Sequence, residues 1–124
     1  MDILLVDDEA RVRSALWLLL RQKPGFNVVG EAAEISQALA LVAMRRPDVL
    51  ILDWDLLAKN GKQGSVLEQL RRICPDLYVI ALSLRTDLRA PALESGVDAF
   101  VYKGDTPDRL MDVLEAVRQR VVLS

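Results

Sequence analysis

The residues with the greatest potential for chemistry stand at the ends of apolar runs in this sequence. They comprise three carboxylates, a hydroxyl and an ammonium group, namely Asp7, Asp8, Asp53, Ser83 and Lys103. The runs before them are typical of β-strands, and in an open parallel sheet the carboxyl ends of the strands share the edge where ligands bind. Such a set suits a divalent cation, which prefers oxygen ligands, together with a phosphoryl group.

The elements that must position these residues alternate between strands and helices. The strand-like runs are short and almost entirely apolar, and they cover residues 3–6, 26–29, 49–52, 78–82 and 99–102. Helical patterns of apolar residues follow these runs, as in residues 10–22 and 107–121. This alternation predicts one α/β domain with a parallel sheet, helices on both faces and right-handed crossovers.

Three segments carry more specific expectations. Residues 58–64 contain two glycines and predict a polar loop before the next helix. Pro91 inside a helix that began near residue 86 would cost about 3 kcal/mol. We therefore expect residues 85–90 to be irregular, with Pro91 in the first turn of a helix that starts late. Thr106 and Pro107 are expected to begin the last helix.

The composition excludes several classes of function. The 124 residues are 52% hydrophobic and 27% charged, as in a globular domain. A net charge of −2 argues against direct nucleic-acid binding, and the absence of histidine removes that residue as a metal ligand or general base. The single cysteine, Cys74, excludes an internal disulfide, and no stretch is typical of a signal peptide or a membrane span. We expect a soluble cytoplasmic protein without a membrane partner.

The sequence resembles the receiver domains of bacterial two-component response regulators, over residues 1–124. Four segments in matching order carry the resemblance: residues 4–9 (LLVDDE), 47–53 (PDVLILD), 81–83 (ALS) and 96–103 (GVDAFVYK). Gly104-Asp105 and residues 29–32 (VGEA) are closer to receivers joined to LuxR-type helix-turn-helix domains. The resemblance implies a flavodoxin-like (βα)5 fold, doubly wound, with five parallel strands in the order 2-1-3-4-5.

The resemblance assigns a role to each polar residue of the site. Asp53 would be the phosphoacceptor and would take a phosphoryl group from a sensor histidine kinase. Asp7, Asp8, Asp53 and the backbone carbonyl of Asp55 would hold Mg²⁺, which would neutralise charge on the transferred group. Lys103 would contact the phosphoryl oxygens. The domain would catalyse only its own phosphorylation and dephosphorylation, and in that sense it would not be an enzyme.

The resemblance also implies a conformational switch. Ser83 would move toward the phosphoryl group and donate a hydrogen bond, and Phe100 would follow it inward. These movements would repack the face formed by the fourth predicted helix, the fifth strand and the fifth predicted helix. Homodimers that depend on phosphorylation would form through this face, and the output would be transcription, controlled by a DNA-binding domain outside this sequence.

Two departures from the family pattern concern the backbone around the site. Gly104 follows Lys103 where many receivers have a proline in a cis peptide. A cis bond before glycine would cost roughly 3 kcal/mol, so we expect a trans bond. The loop after Asp53 is expected to be longer than usual, with Leu57 where proline is common.

Three side chains in this region are expected to tune the reaction. Leu84 follows Ser83 where a small residue is typical, and its bulk is expected to hinder entry of phosphodonor or water. Asp55 and Arg85 occupy the two positions that tune dephosphorylation in the family. Their opposite charges predict a salt bridge across the mouth of the pocket, although an exposed pair would contribute little stability.

Two alternative functions stay open from the sequence. Residues 50–55 resemble the nucleophile motif of haloacid-dehalogenase-type phosphatases, in which Asp53 would attack a substrate phosphate and Asp55 would act as general acid and base. The place of the motif after the third strand, Leu57 instead of threonine, and the length of the chain count against this function. The other alternative is a degenerate receiver that acts only as an interaction module. Each polar residue alone also fits a helix cap or a solvated loop, but their coincidence at the strand ends favours a site.

Overall fold

Five parallel strands form the centre of the protein, whose computed structural model describes residues 1–61 and 63–123. The strands are β1 Asp2–Val6, β2 Asn27–Ala32, β3 Val49–Asp53, β4 Tyr78–Ser83 and β5 Ala99–Tyr102. Their order in the sheet is β2-β1-β3-β4-β5, and every neighbouring pair is parallel. The predicted doubly wound fold with strand order 2-1-3-4-5 is confirmed.

Six α-helices lie in the described part of the chain. They are α1 Ala10–Arg21, α2 Ile35–Arg45, α3 Trp54–Asn60, α4 Gln63–Ile73, α5 Arg89–Glu94 and α6 Pro107–Leu123. The fourth and fifth helices predicted from the sequence correspond to α5 and α6, because α3 was not expected. No helix among the described residues combines the length and the apolar character that crossing a bilayer requires.

The helices cover both faces of the sheet, as predicted. Successive residues of a strand point to opposite faces, and the buried side chains accordingly form two clusters. Leu4 and Leu50 belong to the cluster that includes residues of α2, α3, α4 and α5, whereas Ile3 and Ile51 belong to the cluster that includes residues of α1 and α6. Burial on both faces explains why β1 and β3 have unbroken apolar runs.

The segment after Asp53 is helical, so the prediction that a loop follows Asp53 is wrong, while its greater length than in the family stays a prediction. Asp53 is the N-cap of α3, and its side chain accepts a hydrogen bond from the N–H of Asp55 at 3.1 Å. Leu57 is fully buried and anchors the helix on the core. Gly61 ends α3 in the left-handed conformation with a φ of 64°, which favours glycine. Most of the residues 58–64 predicted as a loop therefore belong to α3 or α4, and only the junction between the two helices is left. Lys62, in this junction, lies outside the described residues.

The helix that contains Pro91 starts late, as predicted, but the chain before it is more ordered than expected. Pro91 is the third residue of α5, where a helix needs no intrahelical N–H donor. A 3₁₀ turn, Thr86–Leu88, leads directly into α5, so the prediction of irregular chain through residue 90 is wrong. The turn brings the N–H of Leu88 to the carbonyl of Arg85 at 3.3 Å. Helix α6 begins at Pro107, in agreement with the sequence pattern.

The backbone at Gly104 is trans, as expected, since the described residues contain no cis peptide bond. A Cβ atom at this position would lie 2.6 Å from Cζ and 2.8 Å from Oη of Tyr102. The Tyr102 ring therefore occupies the space that a side chain at residue 104 would need. This close approach explains why glycine follows the lysine.

Gly104→Ala is expected to lower the free energy of unfolding by about 1–2 kcal/mol, because the ring of Tyr102 must leave its position. Gly64→Ala is the matched control, since nothing lies within 4 Å of a Cβ there and helix α4 favours alanine. Urea unfolding of both variants measures the difference. Equal stabilities of the two variants would contradict the steric role of Tyr102.

Candidate functional site

The carboxyl ends of β1, β3 and β5 bring two carboxylates and an ammonium group together. Asp7 directly follows β1, and Asp53 is the last residue of the neighbouring strand β3. Their side chains are only 2% and 4% exposed. Nζ of Lys103 lies 3.0 Å from Oδ2 of Asp7 and 3.2 Å from Oδ1 of Asp53. The sheet therefore assembles residues that are 96 positions apart in the chain.

Backbone contacts hold the loop after β1 in place. Oδ1 of Asp7 accepts a hydrogen bond from the N–H of Glu9 at 2.9 Å. Nη1 of Arg13 donates to the backbone carbonyl of Asp7 at 2.6 Å, and Nε of the same side chain donates to Glu31 at 3.2 Å. Arg13 was not predicted from the sequence, because an arginine on a helix has no spacing that marks it as a partner of a loop.

A third carboxylate, that of Asp8, completes a potential metal site. Asp7, Asp8 and Asp53 each place an oxygen within 4.8 Å of the other two. Mg²⁺ binds oxygen ligands at about 2.0–2.1 Å, so oxygens at these separations need only small movements to share one ion. Oδ2 of Asp8 also lies 3.5 Å from Nζ of Lys59, an exposed lysine that the sequence did not single out because its helix was not predicted. The donor set fits Mg²⁺, with two buried carboxylates and a third that reaches solvent.

The backbone carbonyl of Asp55 is placed differently from these carboxylates. Asp55 lies in the first turn of α3, and a helical carbonyl points along the axis toward the N–H four residues later. A contact between this carbonyl and a metal ion stays a prediction. It requires the first turn of α3 to open.

Burial and charge perturb the ionisation of the site. Burial, with the nearby carboxylate of Asp7, raises the pKa of Asp53 to about 6, although Lys103 acts in the opposite direction. Burial also acts to lower the pKa of Lys103, but its contacts with Asp7 and Asp53 outweigh that effect and leave the pKa above its ordinary value. The ammonium group therefore stays charged between the two acids.

The end of β4 is held by Asp55 through its side chain. Oγ of Ser83 donates a hydrogen bond to Oδ1 of Asp55 at 2.6 Å, and the N–H of Leu84 donates to Oδ2 at 3.2 Å. Ser83 is fully buried, whereas Leu84 is 60% exposed. The sequence indicated neither hydrogen bond, because both depend on the first turn of the unpredicted helix α3.

The predicted salt bridge between Asp55 and Arg85 is wrong. Nη2 of Arg85 lies 2.6 Å from Oδ2 of Asp87, and both side chains are more than half exposed. The N–H of Arg85 donates to Oγ of Ser83 at 2.9 Å. Arg85 therefore pairs with a carboxylate two residues later in the chain, while Asp55 is already engaged by the end of β4.

Phe100 lies in the core of the proposed switch face, α5–β5–α6, with 7% of its surface exposed. It lines a pocket of about 180 Å³ together with residues from the 3₁₀ turn, α5, β5, the loop after β5, and α6, namely Thr86, Arg89, Tyr102, Asp105 and Arg109. The pocket lies on the face that was expected to repack.

Comparison with known proteins identifies the family. Residues 3–115 match the family model described as the response regulator receiver domain. The chain belongs to this family. The receiver domain is 30% identical over 125 residues to the nitrate/nitrite response regulator protein NarL of Escherichia coli K12, with 98% of this chain and 57% of NarL covered.

Solved structures agree with this assignment. A LuxR-family two-component response regulator from Aurantimonas sp. SI85-9A1 has 25% identity and a TM-score of 0.81, with 95% of the receiver domain and 84% of that chain covered. The isolated REC domain of RcsB from Salmonella enterica serovar Typhimurium, solved with the phosphomimetic BeF₃⁻, has a TM-score of 0.83 at 22% identity. The match covers 96% of this chain and 88% of the RcsB chain, and at this level of identity it supports only the fold. The receiver domain spans about half the length of the curated relatives it matches.

The family assignment bears on one of the two alternatives left open by the sequence, the phosphatase. Receiver domains are regulators rather than classical enzymes, so the phosphatase alternative is set aside. The carboxylate of Asp55, which would have been the general acid and base of that enzyme, is bound to Ser83 and Leu84.

Proposed function

We propose that this receiver domain accepts a phosphoryl group from a sensor histidine kinase on Asp53 in a reaction that depends on Mg²⁺. The observation that carries the proposal is the position of Lys103 between the buried carboxylates of Asp7 and Asp53. Capping residues that merely end strands or begin helices need no buried ammonium group from a distant strand. A nucleophile that receives a phosphoryl group does need such a cation.

Asp53 supplies the nucleophile in this proposal. A carboxylate oxygen attacks phosphorus, an O–P bond forms, and the bond from phosphorus to the imidazole nitrogen of the kinase breaks, which leaves an acyl phosphate. The pKa of Asp53, at about 6, leaves the carboxylate mostly ionised at pH 7. Asp55 and Lys103 both contact Oδ1, so we assign the attack to Oδ2.

Asp7, Asp8 and Asp53 would hold Mg²⁺, with the backbone carbonyl of Asp55 as a further ligand. When bound, the ion neutralises charge on the phosphoryl group during transfer. Lys103 would turn from Asp7 to the phosphoryl oxygens, where its point charge stabilises the product.

Ser83 and Phe100 would transmit phosphorylation to the face α5–β5–α6. The Ser83 hydroxyl would exchange its present partner for a phosphoryl oxygen, and Phe100 would repack toward it next to the pocket it lines. A homodimer through this face and control of transcription by an attached DNA-binding domain are the proposed output. The name of another relative, the phosphate regulon transcriptional regulatory protein PhoB of Pseudomonas aeruginosa, describes a transcriptional regulator and supports the proposed control of transcription. The receiver itself would act in the cytoplasm and would contact neither DNA nor membrane.

Intact mass after incubation with a small phosphodonor tests the proposal. We expect one added phosphoryl group in the presence of Mg²⁺ and none after chelation of the metal or in Asp53→Asn. Failure of the folded, Mg²⁺-supplied protein to gain mass would overturn the proposal and favour the degenerate interaction module.

Leu84→Ala is expected to speed both phosphorylation by the small donor and hydrolysis of the phosphoryl group, by about threefold, because an exposed leucine beside the site restricts access. Leu18→Ala is the matched control, since Leu18 is 52% exposed but lies on α1, outside the face α5–β5–α6. The time courses of mass gain and loss measure both rates. Unchanged rates in Leu84→Ala would mean that the Leu84 side chain does not restrict access to the site.

A further inference from the structure

Two hydrogen-bond donors at the end of β4 share one carboxylate as their acceptor. The Ser83 hydroxyl and the Leu84 N–H donate to different oxygens of Asp55, at 2.6 and 3.2 Å. The N–H of Arg85 donates to the same hydroxyl at 2.9 Å, so the hydroxyl proton is directed at Asp55. Hydrogen bonds to an ionised acceptor are about twice as strong as neutral ones. Asp55 therefore holds this strand end as a bidentate anion would.

The register of the sheet places these donors beside the phosphoacceptor. Asp53 pairs with Leu82 across β3 and β4, so Ser83 and Leu84 are the next two residues past the partner of Asp53. A phosphoryl group on Asp53 would offer anionic oxygens to donors at this edge. A hydroxyl proton that is bound to the Asp55 carboxylate is not available to those oxygens.

We propose, on the basis of the phosphoacceptor function proposed for Asp53, that the Asp55 carboxylate is an internal ligand that competes with the phosphoryl group for Ser83 and Leu84. In the unphosphorylated protein, Asp55 satisfies both donors and holds the end of β4 in its resting position. Phosphorylation must displace this carboxylate before Ser83 can turn to the new group. Asp55 is thus a positioning residue that sets how readily the switch moves.

The competition has a direct consequence for α3. Asp55 lies in the first turn of this helix, whose N-cap is Asp53 itself. A phosphoryl group on Asp53 brings negative charge next to the Asp55 carboxylate just as that carboxylate loses its two donors. Repulsion then drives Asp55 outward, and the first turn of α3 moves with it.

Binding of BeF₃⁻ with Mg²⁺ measures the competition at equilibrium, without hydrolysis. Trp54 is buried and adjacent to Asp53, so its fluorescence reports the ligand, and Trp17→Phe removes the signal of the second tryptophan. We expect Asp55→Ala to tighten BeF₃⁻ binding by about tenfold, because the two donors no longer have to leave a charged partner.

Loss of negative charge near the site would also tighten binding, and Ser83→Ala separates the two causes. If Asp55 competes for the hydroxyl, Asp55→Ala should tighten binding by about threefold or less in a Ser83→Ala background. Equal gains in both backgrounds would mean that Asp55 acts through its charge alone, and the competition would be overturned.

Amide hydrogen exchange of Leu84 tests the contact without metal or BeF₃⁻. We expect the Leu84 N–H to be protected in the unsubstituted protein and to exchange about tenfold faster in Asp55→Ala. Asp55→Asn keeps an acceptor oxygen and should exchange at an intermediate rate. Identical exchange in all three proteins would overturn the inference. If Leu84 responds as expected but BeF₃⁻ fails to bind the unsubstituted protein, the phosphoacceptor function fails, and the competition fails with it.

Discussion

Lys103→Met is expected to destabilise the metal-free protein by about 3 kcal/mol at pH 8 and to slow phosphorylation of Asp53 by about a hundredfold or more. Nζ of Lys103 lies within 3.2 Å of both Asp7 and Asp53, and its side chain is 11% exposed. Methionine keeps much of the volume but removes the charge. Two buried carboxylates are then left facing each other without a cation.

The loss of stability in Lys103→Met should depend on pH. Lys103 lowers the pKa of Asp53, so its removal moves that pKa above the present value of about 6. When the pKa of an acid is higher in the folded than in the unfolded state, the protein loses stability as the pH rises from the unfolded-state pKa to the folded-state pKa. The deficit should therefore be smaller at pH 5 than at pH 8, and urea unfolding in the presence of a chelator measures it at both values.

Lys59→Met is the matched control for this experiment. Lys59 also pairs with a carboxylate of the site, Asp8, but at 3.5 Å and with 69% of its side chain exposed. An exposed pair of this kind contributes at most about 1 kcal/mol. A loss of stability in Lys59→Met as large as that in Lys103→Met would contradict the special position of Lys103 between two buried acids.

Asp53→Asn is expected to stabilise the metal-free protein by about 3 kcal/mol at pH 8 while it abolishes phosphorylation. The pKa of Asp53 rises from an ordinary value of 3.8 to about 6, mainly through burial, and this rise corresponds to about 3 kcal/mol. The wild-type protein loses that stability as the pH rises from about 4 to about 6 and the carboxyl group ionises. Asparagine has no charge to bury, so it avoids the loss.

Unfolding of wild type and Asp53→Asn at pH 4 and pH 8, with chelator present, separates this effect from general ones. The two proteins should differ little at pH 4 and most at pH 8. Asp105→Asn removes an exposed carboxylate and should change stability by less than about 0.5 kcal/mol at either pH. If Asp53→Asn were no more stable than wild type at pH 8, burial of the charged nucleophile would carry no energetic cost.

The positions of the site residues could be predicted from the sequence because each depends on a strong local pattern. Asp7, Asp53 and Lys103 sit at the ends of apolar runs, and alternation of strands and helices is enough to bring such ends to one edge of a sheet. The parallel sheet and the convergence of these side chains follow from that pattern, whereas the strand order was implied by the resemblance to receiver domains.

Helix α3 was missed although its signals were present. Asp53 is a good N-cap, and the residues after it favour a helix until Gly61 ends it in the left-handed conformation. Two glycines close together, Gly61 and Gly64, are typical of a loop, whereas in the structure Gly61 marks the end of a helix. Because Lys59 lies on this unpredicted helix, its contact with Asp8 was not predicted either.

The hydrogen-bond partners of Asp55 could not be predicted from charges. From charge alone, Arg85 could pair with either Asp55 or Asp87. It pairs with Asp87, which lies two residues away on an exposed turn. The contact of Asp55 with Ser83 needs the register of β3 against β4 and the first turn of α3 together. Neither the register nor the helical turn can be read from the types of these residues alone.

The separation of 96 residues between Asp7 and Lys103 has a consequence for synthesis of the protein. At about 5–20 residues per second, a ribosome adds Lys103 about 5–20 s after Asp7. From the addition of Asp53 until the addition of Lys103, a nascent chain contains the phosphoacceptor and both neighbouring acids, but not the cation that allows them to be buried together. We expect the site to form only after β5 has joined the sheet. An interrupted translation product that ends before Lys103 would then be a poor substrate for the kinase and would not divert its signal.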